Sequence, residues 1–169
     1  MSRWQRQGWR VLVAVLGAVA LSAPAAMAAD GEAKGTLVYR GTTLAFKHVF
    51  LIKGPDAVDP KKIIRRLIFT RDDIGAKIRA CATMSCADGA MTDGLQVDFD
   101  SGPRLNYWLA LNDQRVQYSG TAEPTVLKGG SIEPRRIAGT LAIDDTRAGG
   151  PKIDAAFAAA ILKEFTAVR

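Results

Sequence analysis

Two cysteines and two methionines fall close together in this chain: Cys81, Met84, Cys86 and Met91. Thiolate and thioether sulfurs are soft donors that suit Cu(I), and a dithiol pair can also exchange electrons. The spacing is C-x4-C, however, and not the C-x2-C of redox motifs. In an oxidising compartment two cysteines this close together make one disulfide. Closing so short a loop contributes about 2 kcal/mol by chain entropy, so the bridge pins a local turn and does not hold a domain together. A structural Cys81–Cys86 disulfide is the leading reading. A copper or other metal site using Met84, Met91 and His48 is the alternative.

His48 is the single histidine. By alternation it shares a strand face with Leu44, Phe46 and Phe50, the surroundings of a core histidine. As an acid or base it needs a carboxylate from another strand, and Asp98 or Asp100 would make it a small hydrolase. Asp98 and Asp100 sit two apart on one predicted strand, roughly 7 Å from each other by strand rise; a solvated outer face explains them as well. Asp144-Asp145 ends a strand and suits a turn cap. No G-x-S-x-G, H-E-x-x-H, P-loop or G-x-G-x-x-G motif is present.

The segment Arg104-Leu105-Asn106-Tyr107-Trp108 concentrates side chains enriched at binding hot spots. Arg104, Tyr107 and Trp108, with Tyr118 on the following strand, are the candidate ligand-binding residues, and the cysteine loop would shape one rim. Basic pairs stand at Lys61-Lys62, Arg65-Arg66 and Arg135-Arg136; Lys61, Lys62, Arg65 and Arg66 together could form a patch for an anionic surface, and a solvated surface is the plainer account.

These residues belong to a chain whose first 29 residues read as a secretory leader. Arg3, Arg6 and Arg10 precede the uncharged apolar run Val11 to Leu21. Pro24 and small residues then lead to Ala26-Met27-Ala28, an A-x-A cleavage pattern. The run is shorter than the roughly 20 residues of a membrane-spanning helix. Removing the leader takes three of 23 basic residues and no acid, leaving 20 against 17, a net +3. It also leaves Trp108 as the last tryptophan. The expectation is a periplasmic or secreted bacterial domain over residues 30–169. That compartment and modest charge, without a basic stripe, argue against nucleic acid. No membrane span is expected once the leader is removed.

The mature chain reads as short strands separated by Gly/Pro turns at spacings near ten. The strands are Gly35–Tyr39, Thr43–Ile52, Arg65–Thr70, Gly94–Asp100, Arg104–Leu111, Arg115–Gly120, Arg136–Asp144 and Lys152–Phe157. Asp72 and Asp73 suit the start of a helix over Ile74–Ala80. After about Ala159 a short C-terminal helix is expected. Lys128-Gly129-Gly130-Ser131 reads as part of a connection. The fold class is mainly β, a single antiparallel sandwich or barrel with one or two short helices.

The motifs Gly35-x-Leu37-x-Tyr39-x-Gly41, Leu44-x-Phe46-Lys47-His48, Gly139-Thr140-Leu141 and Ile153-Asp154-Ala155-Ala156-Phe157 resemble a group of exported bacterial β-rich domains with no established activity. The resemblance implies an all-β fold and supplies no catalytic residues. The functional expectation is a non-enzymatic domain, without a cofactor, that binds a small apolar or anionic ligand or an envelope protein.

Overall fold

The computed structural model describes residues 31–112 and 114–169; the expected leader and its cleavage pattern lie outside them. Nine strands make one sheet: β1 Glu32–Tyr39, β2 Thr42–Pro55, β3 Ile63–Thr70, β4 Gly94–Phe99, β5 Leu105–Leu111, β6 Gln114–Ala122, β7 Leu127–Glu133, β8 Arg136–Asp144 and β9 Lys152–Glu164. Their order is β6-β5-β4-β3-β2-β1-β9-β8-β7, with antiparallel neighbours throughout. The sheet curls into a half-barrel. Two short helices, α1 Gly75–Ala80 and α2 Met84–Gly89, link β3 to β4.

Period-2 alternation divides the side chains between two cores. Leu37, Phe46, Leu67, Phe69, Val97, Tyr107, Leu141 and Phe157 belong to the core that fills the inside of the curl. Phe69 packs edge-on against Phe157 at 5.0 Å between ring centroids. The second core lies on the outer face, where Phe50, Ile52, Ile64 and Ile68 meet Ile78 of α1, Met84 and Ala87 of α2, and Phe165. Continuous apolar runs in β2 and β3 are therefore strands covered on both faces. On β2 the inward parity changes: Leu44 and Phe46 face the inner core, but so do Val49 and Leu51. Phe50 and Ile52 thus point outward, contrary to the single face expected from Leu44 through Ile52. The β1–β2 register shifts at this place, between Glu32 and Gly35.

Three further expectations need correction. The C-terminal helix is absent. β9 continues as strand because, past the end of β1, it meets β2 in parallel at Leu51↔Ile161, Ile52↔Lys163 and Lys53↔Glu164. Backbone pairing beyond the β1 partner outweighs the helix propensity of Ala and Leu. Residues 127–133 form the edge strand β7 where a connection was expected. A Cβ on Gly130 would lie 1.8 Å from the Ala138 carbonyl oxygen, so the glycine permits the close approach of β7 to β8. Finally, Asp98 is not solvated and does not share a face with Asp100. Asp100 has a left-handed backbone, φ 71°, which breaks the alternation as β4 ends.

The Asp73 carboxylate accepts the Gly75 amide at 2.8 Å, starting α1 near where it was expected. α2 was missed; Thr83 caps it, its hydroxyl accepting the Cys86 amide. Among the described residues no helix is long and apolar enough to cross a membrane.

Candidate functional site

Strand register builds the site. On the outer face, Arg66, Asp98, Asn106 and Thr121 stand in one cross-strand row, and Ile68, Gln96, Trp108 and Ser119 in the next. The face changes from apolar to polar between β3 and β4, where the cover of helices ends.

Arg66 is 4% exposed and anchors this boundary. Its Nε and Nη2 donate to the two carboxylate oxygens of Asp98 at 2.6 and 2.8 Å, and its Nη1 donates to Asp88 of α2 at 2.5 Å. Its guanidinium lies 4.6 Å from the Trp108 ring centroid. A planar fork held by a bidentate carboxylate and stacked on an aromatic face is a task for which lysine does not substitute. Burial alone would lower the Arg66 pKa, but hydrogen bonding and charge from Asp98, then Asp88, hold it above its ordinary value. Burial raises the Asp98 carboxyl above the usual range against the opposing pull of Arg66. One cation serving two carboxylates, with buried Asp56 nearby, leaves the site formally at −2 if all ionise.

Two open clefts flank this cluster and share Trp108 and Asp88. One, of about 330 Å³, runs past Ser85, Met91, Gln96, Gln114 and Val116. The other, of about 510 Å³, runs past Asp56, Val58, Arg66, Asp98, Asn106 and Thr121. Both fall within the roughly 300–1,000 Å³ range of small-molecule sites. Trp108 is half-buried, and Val116 and Val58, 59% and 93% exposed, stand at the margins. Gln96 is 2% exposed and lines the first cleft. Among the described residues nothing bonds its carboxamide. Among the described residues no fully enclosed polar side-chain atom lacks a partner, so that amide opens onto the cleft.

The sequence-predicted residues divide between the faces. Trp108 lies in the clefts. Tyr107 and Tyr118 pack with the inner core, their rings 6.1 Å apart. The Tyr107 hydroxyl donates to Asp145, and burial, followed by that carboxylate, pushes its pKa well above the tyrosine range. Arg104 is exposed and reaches Glu123 at 3.2 Å and the Thr121 carbonyl. The four are therefore not one constellation: alternation separates Tyr107 from Trp108. Gln96, Asp98, Asp88 and Arg66 take part instead. Gln96 and Asp98 were legible as a polar face and Arg66 as part of a basic pair, but nothing local pairs Arg66 with Asp98.

Arg65 and Arg66 also point to opposite faces. Arg65 holds Asp100 through two hydrogen bonds, at 2.6 and 2.9 Å, and reaches the Glu133 carbonyl of β7. Lys62 reaches the Ser101 carbonyl. The four basic residues from Lys61 to Arg66 consequently form no common patch.

His48 is half-buried, stacks on Phe50 at 6.3 Å, and lines a separate cleft of about 440 Å³ with Glu32, Asp73 and Arg79. The row of Asp98 crosses β2 at Ile52, four residues and about 13 Å along the strand from His48. His48 and Asp98 do not form a dyad, and Asp100 is engaged by Arg65. Cys81 and Cys86 are joined as a disulfide. Met84 and Met91 fill the outer core above Gly54 and Gly94. The soft donors are thus used in bonding and packing, and among the described residues no three His, Cys, Asp or Glu side chains converge as a metal cage. Asp144 does cap a turn, accepting from the Thr146 amide and hydroxyl, which lowers its pKa.

Comparison with family models, curated proteins and solved structures finds no match for this chain.

Proposed function

We propose that this is an exported periplasmic binding domain that holds a small, neutral, polar ligand in the paired clefts around Trp108. The carrying observation is the stack of half-buried Trp108 on buried Arg66, with the Gln96 carboxamide directly across the strand pair. Preorganisation supports the reading: the sheet positions the floor, and Asp98 and Asp88 lock the guanidinium under the indole. The described lining of both clefts includes amide, hydroxyl, carboxylate and aromatic side chains, a set suited to binding.

The chemistry narrows the ligand from the apolar or anionic class expected at first. Three carboxylates against one arginine repel an anion. A purely apolar ligand would cover Gln96, Asn106 and Thr121 without satisfying them, at a cost of about 1–3 kcal/mol for each polar group left buried and unpaired.

Native mass spectrometry of the purified protein, after incubation with the low-molecular-weight fraction of a cell-envelope extract, tests the proposal. An adduct is expected on the wild type and not on Trp108→Ala. An adduct kept by the variant, or no adduct on the wild type, would refute the cleft as the site. A stable complex formed only when the protein fraction of the same extract is supplied instead would replace it with the envelope-protein reading.

A further inference from the structure

We infer that the ligand is a saccharide, held with a pyranose ring against Trp108 and its hydroxyls on Gln96 and Asp88. This rests on the clefts being a ligand site, and it follows from what each wall offers. The Arg66 guanidinium already occupies one indole face. A cation is drawn to an aromatic ring by the negative face of its quadrupole, and a guanidinium at 4.6 Å offsets that field for a second cation. The remaining indole surface suits an uncharged, weakly polarised C–H face, which a pyranose ring presents.

Sugar hydroxyls both donate and accept, and the walls match both roles. The Gln96 carboxamide supplies two donors and an acceptor, opens onto the cleft and has no protein partner among the described residues. The amide is open to the cleft and holds no bond of the fold, so a ligand hydroxyl can take the place of water on it without breaking a protein contact. Asp88 gives one oxygen to Arg66 and keeps its side chain 30% exposed, so its carboxylate remains an acceptor. Asn106, in the adjoining cleft, is anchored through its Nδ2 to the Ser101 hydroxyl, which directs its amide oxygen to serve as acceptor. Because the two clefts meet at Trp108, one ring on the indole can continue into a neighbour on the other side. The occupant is therefore an oligosaccharide segment of at least two rings.

Titrating the full exported chain with cellohexaose, chitohexaose and maltohexaose, followed by amide and indole chemical shifts, tests this. At least one should bind with shifts centred on Trp108 and Gln96. Trp108→Ala and Gln96→Leu should each weaken it about tenfold or more. Gln96→Leu removes an amide that has no protein partner, so its unfolding midpoint should equal or exceed that of the wild type, separating lost binding from lost folding. The inference fails if none of the three binds at millimolar concentration, or if Gln96→Leu binds as the wild type does. Spermidine binding at the same shifts without any saccharide would also overturn it. In each of these three failures an envelope-extract adduct lost in Trp108→Ala would leave the cleft reading standing.

Discussion

Replacing Arg66 with methionine keeps an unbranched side chain of similar reach and deletes the charge. Two carboxylates lose their cation, one of them on a side chain only 5% exposed. Removing one member of a buried ion pair costs about 3–5 kcal/mol, because the partner charge is left without compensation. The stack on Trp108 adds up to about 2 kcal/mol for a desolvated contact, while relaxation of half-exposed Asp88 into solvent returns part of the loss. A net loss of about 4 kcal/mol at neutral pH follows. With a urea slope of about 2 kcal/mol/M for a domain of this size, the midpoint falls by about 2 M. The pH dependence carries the sharper test. Asp98 is already above the usual carboxylate range in the wild type because burial outweighs Arg66, and losing Arg66 raises it further. A group with a raised folded pKa contributes stability that is full below its unfolded pKa of about 4 and lost as pH rises through the folded value. The deficit of Arg66→Met is therefore largest at neutral pH and shrinks on acidification, as Asp98 becomes protonated. Arg66→Met with Asp98→Leu, which removes both charges, should recover most of the loss. A neutral-pH loss under about 1 kcal/mol, or a deficit that grows on acidification, would refute the burial of the pair.

Removing the disulfide with Cys81→Ser and Cys86→Ser should cost about 2 kcal/mol and leave the β-sheet circular dichroism intact, since the bridge spans only α1 to α2. Tyr107→Phe deletes the hydrogen bond to Asp145 and should lower stability by about 1.5–3 kcal/mol in urea denaturation. Because the Tyr107 phenol is held above its ordinary value near 10, wild-type stability is lost as pH rises past 10 more steeply than in Tyr107→Phe. Gly130→Ala forces a Cβ onto the Ala138 carbonyl, so hydrogen exchange at β7 should rise while amides of β2 and β3 stay protected.

Much of the fold is legible in residue order because it rests on period 2 and on turn residues. Leu95, Val97 and Phe99 alternate inward along the expected strand Gly94–Asp100, and Gly/Pro turns separate most strands. What failed depended on partners far along the chain. Ala158 to Glu164 carries helix-forming residues and is strand because β8 pairs with Ala158 to Ala160 and β2 with the residues beyond. The Asp98 side chain has the pattern of a solvated face and is buried only because Arg66, 32 residues earlier, lies opposite it. The same limit governs the site. Trp108 stood out locally, but Tyr107 and Tyr118 were grouped with it by residue type, and alternation sends them to the other face. Gln96 reads locally only as one position of a polar face and Asp88 carries no local signal; cross-strand register and the placement of α2 make them walls.

The position of β9 has a consequence for the order of events in folding. This last strand is central, hydrogen-bonded to β1 on one side and β8 on the other, with its final turn of pairing on β2. Until its residues are available, β1 and β8 have no common neighbour, and the inner core lacks Ile153, Ala155 and Phe157. The sheet thus closes only once β9 joins β1, a pairing between residues more than a hundred positions apart that is slow to form. A chain folding in order of synthesis would therefore stay open between β1 and β8 until β9 fills the place between them.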